Sequence, residues 1–144
     1  MVSASGQERS RRTLIRNASV LDGTGAAARI ADVRLVGDRI EAVGRLTPSP
    51  ADRLVDARGL TLAPGFIDTH SHHSRGLFDQ PDALAAVSQG ITTIIVGQDG
   101  SSTLPLAALF SRLEREPAAV NVASYVGHGT IRRDVARRPR KSIG

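Results

Sequence analysis

The chain has 144 residues, with 19 basic and 14 acidic residues, four histidines and no cysteine. The lack of cysteine excludes disulfides and thiolate metal sites, and no apolar run approaches the roughly 18 residues of a membrane span. The polar start carries charges but no apolar segment of the kind found in secretory signals. We therefore expect a globular, cytoplasmic protein with no membrane partner.

The surplus of positive charge is confined to the C-terminal end of the chain. Residues 132–144 contain six basic residues and one acid, whereas residues 1–131 contain thirteen of each sign. Only four residues are Phe or Tyr and none is Trp, which leaves few platforms for stacking on nucleic-acid bases. The sequence therefore predicts a basic tail over residues 132–144 and no nucleic-acid partner.

A small all-β domain is predicted for residues 13–63, after a disordered lead over residues 1–12. Apolar and polar residues alternate along several short segments, which is typical of strands with one buried face. Gly37 and Asp38 separate two of these segments and predict a two-residue hairpin turn. The predicted strands cover residues 13–20, 30–36, 39–43, 53–56 and 60–62.

The pattern changes at Pro64, and residues 64–131 alternate between predicted strands and helices. Such alternation is typical of parallel βαβ units. Asp79 is the expected N-cap of the first helix, and Gly90 is expected to end it. The predicted strands cover residues 66–70, 91–96 and 119–126, and the predicted helices cover residues 79–89 and 104–116.

Three of the four histidines lie together at the end of the first strand of this second part. His70 and His72 are two positions apart, so their rings point the same way in an extended segment, with Asp68 on the same side. Two neighbouring imidazoles suit a divalent metal such as zinc. The alternative is a pair of solvated histidines in a loop, and the apolar strand that precedes them favours the metal site.

The segment Pro-Gly-Phe-Ile-Asp-Thr-His-Ser-His at residues 64–72 resembles the metal-binding signature of the amidohydrolase superfamily, where it ends the first barrel strand. Residues 90–100 and 121–130 resemble segments of the N-acyl-D-amino-acid deacylase, or D-aminoacylase, branch of that superfamily. The resemblance covers roughly Thr13 to Arg133. The three segments in this order are more specific than the two histidines alone.

The resemblance implies an α/β fold, in which a small β-sandwich-like unit precedes about three βα units of a TIM-type (β/α)8 barrel. In the family, strands from the C-terminus of the full chain complete the β unit. A closed barrel needs eight strands and typically about 250 residues. We therefore expect a truncated barrel over residues 64–131, with an open sheet edge through which copies of the chain could self-associate.

The implied function is hydrolysis of the amide bond of N-acyl-D-amino acids by a metal-activated water, in an enzyme of which this chain is the N-terminal fragment. Two alternatives stay open: a cyclic-amide hydrolase of the dihydroorotase or hydantoinase kind, and a non-catalytic truncated fragment. The family's general base comes from later strands. We therefore expect no catalytic base within this chain, and no activity from the chain alone.

The same resemblance implies that His70 and His72 are metal ligands, with Zn²⁺ as the expected ion. Asp99 lies in the segment Gly-Gln-Asp-Gly, at a position that is usually a cysteine ligand in the Gly-Asn-x-Gly motif of the deacylases. A carboxylate oxygen is also an acceptable zinc ligand. Asp99 is therefore interpreted either as the third ligand or as a turn-forming residue before Gly100.

Three further residues are candidates for a supporting role around the metal or the substrate. Asp68 could orient a ligating histidine through a hydrogen bond, as carboxylates often do. His73 follows the two ligands but is expected to point elsewhere, and an exposed ring is its alternative. His128 lies between two glycines at the end of the third strand, where close approach of a substrate is expected.

Overall fold

The computed structural model describes residues 12–74 and 76–137. The chain divides into two compact units, an N-terminal unit over Met1–Pro64 and a C-terminal unit over Gly65–Gly144. The first contains only strands in its described part, and the second alternates strands with helices, so the mixed α/β class is confirmed. The predicted disordered lead, up to residue 11, and the end of the predicted basic tail, from residue 138, lie outside the described residues.

The N-terminal unit is built on one five-stranded sheet. β1 lies at its centre, antiparallel to β2 and parallel to β4 and β5, while β3 forms a hairpin with β2. The predicted strands are therefore all present, with ends that differ by one residue or so; Arg12, assigned to the lead, belongs to β1. The strands are β1 (Arg12–Val20), β2 (Arg29–Val36), β3 (Arg39–Gly44), β4 (Asp52–Asp56) and β5 (Thr61–Leu62).

A buried aspartate fixes an irregularity in this sheet. The pairing of β1 with β2 shifts between Ile15 and Ala18, and Asn17 at this bulge has a positive φ of 60°. The Asp32 carboxylate accepts the backbone N–H of Asn17 at 2.9 Å and that of Leu46 at 3.0 Å. The bonds from Leu46 and from Asn17 hold the pKa of Asp32 below its usual value. The charged carboxylate thus satisfies two amides that the ladder leaves unpaired.

The C-terminal unit contains a three-stranded parallel sheet in the order β6-β7-β8. Helices follow the strands, as the alternating pattern predicts, and they cover one face of β7, where Ile94 and Val96 are almost fully buried against Leu109. The elements are β6 (Phe66–Asp68), a 3-10 turn (Gly76–Phe78), α1 (Leu84–Val87), β7 (Ile91–Val96), α2 (Leu106–Arg115), β8 (Asn121–Ser124) and α3 (His128–Arg137).

The first strand of this unit is shorter and more exposed than the sequence predicts. β6 ends at Asp68 rather than at residue 70, and the side chains of Phe66 and Ile67 are 62% and 61% exposed. Among the described strands β6 pairs only with β7, so it is an edge strand of this sheet. The apolar run Phe66-Ile67 therefore does not mark a buried strand here. Gly65 is required just before it, because a Cβ there would overlap the Thr92 side chain.

The predicted helix over residues 79–89 is wrong in most of its length. Asp79 is not its N-cap: its backbone N–H donates to the carbonyl of Gly76 within a turn, and only the single turn of α1 is helical. Ala83 precedes α1 with a φ of 45°, a left-handed conformation that interrupts any longer helix. Gly90 ends the segment as predicted, with a φ of 78° and its N–H donated to Val87.

Candidate metal centre

Three side chains predicted as ligands converge at the carboxyl ends of β6 and β7. Oδ2 of Asp99 lies 3.2 Å from Nε2 of His70 and 3.0 Å from Nε2 of His72. The two imidazole rings lie beside each other, with centroids 5.4 Å apart and planes tilted by 44°. One atom from each of these residues lies within 4.8 Å of the others, a separation that a single ion can bridge after a small movement.

The histidines are placed by the segment that continues β6. The backbone N–H of Ser71 donates to the carbonyl of Ile95 in β7, which extends the contact between the β6 segment and β7 beyond the end of β6. Oδ1 of Asp68 accepts the backbone N–H of His70 at 3.0 Å. Asp68 therefore acts on the backbone that carries His70, whereas the sequence suggested a bond to the ring.

Asp99 reaches the histidines because the chain turns sharply after β7. Its φ is 57°, a left-handed conformation that aspartate adopts more readily than most residues. The neighbouring Gln98 donates its side-chain amide to the carbonyls of Thr69 and Ile95, both at 2.7 Å. Thr69 directly precedes His70, so Gln98 ties the Asp99 turn to the segment that carries the histidines.

The donor set of this cluster fits a divalent ion. Two imidazole nitrogens and one carboxylate oxygen are ligands that zinc accepts, and the chain offers no sulfur ligand because it lacks cysteine. The side chains of His70, His72 and Asp99 are 59%, 69% and 62% exposed, so the group is open to solvent on one side.

Two of the supporting candidates, His73 and His128, are not among the three described residues whose ligand atoms converge. Nδ1 of His73 is 2.8 Å from Oγ of the buried Ser71, so this ring is held by its own segment and does not join the cluster. His128 is the first residue of α3, not part of a loop, and its side chain is exposed. The glycines that flank His128 serve a backbone contact: a Cβ at Gly127 would lie 2.6 Å from the carbonyl oxygen of Gly100.

Sequence reasoning missed three polar residues that hold the Asp99 turn. They are Gln98, which contacts the histidine segment, and the pair Ser102 and Thr130, which hydrogen-bond to each other across 28 positions. Nothing in the local pattern marks them, since each is an ordinary polar residue beside a strand end. The one available signal is the pairing of two glycine-bounded segments, 97–100 and 127–129, at neighbouring strand ends.

Parallel strands bring paired histidines and a carboxylate to one end of the sheet, as the resemblance to the amidohydrolases predicts. The model of the amidohydrolase family matches residues 53–137, more than half of the chain, and the chain belongs to this family of enzymes. The resemblance to its N-acyl-D-amino-acid deacylase branch is confirmed by the relatives. No described helix has the length and apolar character needed to cross a membrane.

Among curated relatives, the N-acyl-D-aspartate deacylase of Alcaligenes xylosoxydans is 40% identical in an alignment of 142 positions that covers 83% of this chain and 28% of the relative. The N-acyl-D-glutamate deacylase of the same organism is 37% identical in an alignment of 148 positions that covers 88% of this chain and 30% of the relative. The crystal structure of an N-acyl-D-glutamate deacylase from Bordetella bronchiseptica, complexed with zinc and a phosphonate inhibitor, matches with a TM-score of 0.81 at 35% identity. The structural match covers 93% of this chain and 33% of the Bordetella bronchiseptica enzyme chain. The chain thus spans about a third of these proteins or less.

Proposed function

We propose that this chain is the N-terminal, metal-binding part of an N-acyl-D-amino-acid deacylase. The observation that carries the proposal is the convergence of His70, His72 and Asp99 at the ends of two parallel strands. The similarity to deacylases that act on N-acyl-D-aspartate and N-acyl-D-glutamate supports the substrate class, an acylated D-amino acid. Zinc is the proposed ion because the donor set fits it and a similar structure is a zinc complex.

His70, His72 and Asp99 would hold the ion, and Asp68 would keep the backbone of His70 in place through its 3.0 Å hydrogen bond. A divalent ion bound there would act as a Lewis acid on the substrate amide and would activate a water for attack on its carbonyl carbon. The overall change is addition of water across the amide C–N bond, which releases a carboxylic acid and the free amino acid. We assign the proton-accepting base to the part of the deacylase fold that this chain does not span.

The architecture proposed for the whole comprises a β unit and a (β/α)8 barrel, and β6, β7 and β8 supply the first three strands of the barrel. The parallel order β6-β7-β8 and the position of the cluster at the carboxyl ends of the strands support it, since barrels of this kind carry their sites there. Both outer strands of this sheet have one unpaired edge in the described part of the chain. Self-association through such an edge is a further part of the proposal.

The proposal is tested by a chimera with a relative. Residues 12–137 replace the corresponding region of the N-acyl-D-aspartate deacylase of Alcaligenes xylosoxydans, and hydrolysis of N-acetyl-D-amino acids is followed by release of the free amino acid. We expect zinc-dependent turnover, and its loss in a matched chimera carrying His70→Ala. Turnover that is unchanged by His70→Ala would contradict the proposed role of the cluster.

A further inference from the structure

We propose that Ser102 and Thr130 are positioning residues, which hold the turn after β7 so that the Asp99 carboxylate faces the two histidines. The inference rests on the proposed metal centre and adds to it a pair of residues outside the ligand set. We call these two residues, with the hydrogen bonds that their side chains make to backbone groups, the Ser102–Thr130 latch. It connects the segment that follows β7 to the first turn of α3.

Ser102 and Thr130 exchange two hydrogen bonds, and the hydroxyl group of each residue has a backbone partner. The backbone N–H of Ser102 donates to Oγ1 of Thr130 at 3.0 Å, and this hydroxyl donates to the carbonyl of Ser102 at 3.3 Å. Oγ of Ser102 accepts the backbone N–H of Gly127 at 2.9 Å, and the backbone N–H of Thr130 donates to the carbonyl of Gly100 at 3.1 Å. Four hydrogen bonds thus join two short segments that belong to different strand–helix connections.

The backbones on either side of the latch are in direct contact, which fixes their separation. A Cβ added at Gly127 would lie 2.6 Å from the carbonyl oxygen of Gly100, and one added at Gly129 would lie 2.9 Å from it. Such distances are shorter than side chains tolerate, so only glycine permits this approach. Gly100 directly follows Asp99 in the chain. The contact and the latch therefore act one residue away from the proposed ligand.

Asp99 needs an external restraint because little in its own surroundings fixes the observed turn. Asp99 and Gly100 are consecutive left-handed residues, with φ of 57° and 80°. Aspartate adopts this region more readily than most residues, but the region is not its preferred one. The Asp99 side chain is also 62% exposed, so packing does not hold it. Gln98 anchors the turn on the side of the histidines, and the latch anchors it on the opposite side.

A ligand that is held in advance binds its metal more tightly than one that must be ordered on binding, because the ordering entropy lowers the affinity. Loss of partners that orient a ligand typically weakens metal binding about 10–100-fold. We therefore expect loss of the latch to raise the dissociation constant of the metal. A latch that served only the fold would change the stability of the chain and leave the affinity of the folded chain unchanged.

The experiment is a titration of the 144-residue chain with Co²⁺, followed by its absorption spectrum, together with urea unfolding of the metal-free chain followed by circular dichroism. Thr130→Val keeps the shape and removes the hydroxyl, whereas Thr130→Ser keeps the hydroxyl and is the matched control. We expect about a tenfold or greater rise in the Co²⁺ dissociation constant for Thr130→Val, and near-native affinity for Thr130→Ser. Ser102→Ala is the second variant and should weaken binding in the same direction.

The outcomes separate the latch from the metal centre itself. Native Co²⁺ affinity in a folded Thr130→Val and a folded Ser102→Ala would overturn the positioning role and leave the metal centre standing. Variants that fail to fold would also overturn it, since the latch would then be needed for the fold rather than for Asp99. If the wild-type chain and a His70→Ala variant bound Co²⁺ equally weakly, the proposed metal centre would fail and the latch inference with it.

Discussion

Nε2 of His70 lies 3.2 Å from Oδ2 of Asp99, although 29 positions of sequence separate the two residues. These atoms form a hydrogen bond to each other in the described state, and the same two atoms are the proposed metal ligands. A metal ion bound by both atoms would therefore displace this hydrogen bond. Because a protonated imidazole cannot bind a metal, the affinity should fall as the pH is lowered.

The first prediction concerns addition and removal of the metal. A ligand that binds only the folded chain stabilises it by about 2.7 kcal/mol when its free concentration is 100 times its dissociation constant. We expect Zn²⁺ to raise the midpoint of thermal unfolding of the 144-residue chain, and chelation to reverse this rise. A double His70→Ala, His72→Ala variant should show no such rise.

The matched control for this prediction is His73→Ala. His73 belongs to the same segment, but its ring is held by Ser71 and lies outside the cluster. The His73→Ala variant should retain the response to Zn²⁺. Equal loss of the response in His73→Ala and in the double variant would argue against the cluster as the binding site.

The second prediction concerns the choice of metal. Asp99 supplies a hard oxygen ligand, whereas a thiolate at the same position would favour softer ions. An Asp99→Cys variant should therefore bind Zn²⁺ more tightly relative to Mn²⁺ than the wild type does. Asp99→Asn keeps the shape of the side chain but removes its charge, and should weaken the binding of both ions. Competition titrations with a chromogenic chelator measure both effects, and an unchanged Zn²⁺-to-Mn²⁺ preference in Asp99→Cys would show that residue 99 is not a ligand.

Much of the fold could be predicted because its signals are local. Alternation of apolar and polar residues marks the strands of the N-terminal unit. The run Ile91–Val96, rich in β-branched residues, predicts both ends of β7 correctly. The spacing of His70 and His72 likewise places both rings beside one another. Each of these signals lies within a few positions, where the period of a strand connects sequence directly to the direction of the side chains.

The errors occur where contacts distant in sequence decide the local structure. Burial of β6 could not be judged from Phe66 and Ile67, because exposure of an edge strand depends on what lies beside it. His128 was expected at the end of the third strand, and the start of α3 at this residue depends on the backbone contact of Gly127 with Gly100. The bond of Gln98 to Thr69 spans 29 positions and that of Thr130 to Ser102 spans 28, so no local pattern records them.

The third prediction concerns the glycine that ends β7. Gly97 has a φ of 86°, and a Cβ there would overlap the carbonyl oxygen of Tyr125. Gly97→Ala adds left-handed strain of roughly 1–2 kcal/mol and a clash with backbone that cannot move away, worth about 1–3 kcal/mol more. Gly90→Ala is the matched control. Its φ is 78°, but its Cβ would meet only the exposed ring of Phe66 at 3.4 Å, which can shift.

We expect Gly97→Ala to lower the free energy of unfolding by about 1–3 kcal/mol more than Gly90→Ala does, as measured by urea unfolding of the C-terminal unit. Hydrogen exchange of the β8 amides should accelerate in Gly97→Ala alone, because the clash falls on Tyr125, directly after β8. Equal effects of the two substitutions would mean that the conformation after β7 relaxes freely and does not constrain Asp99.

The fourth prediction is a pH dependence in the N-terminal unit. The two backbone amides of Leu46 and Asn17 bind the charged form of Asp32 and hold its pKa below the usual 3.8. Because the folded state keeps this carboxylate charged to lower pH than the unfolded state does, its contribution to stability is fully present above the unfolded pKa. The contribution is lost as the pH falls through the lower folded value, where the folded chain takes up the proton as well.

Asp32→Asn tests this dependence, because the amide keeps one acceptor oxygen and turns an NH₂ group toward the second backbone N–H. We expect a loss of about 1–3 kcal/mol at pH 7, since a buried donor is left without a partner. The difference in unfolding free energy between wild type and Asp32→Asn should shrink as the pH is lowered below about 4. Asp38→Asn removes the same charge from the exposed hairpin turn and should change stability little at either pH. A wild-type advantage over Asp32→Asn that stays constant from pH 7 to pH 2 would show that the charge of Asp32 is not what the two amides bind.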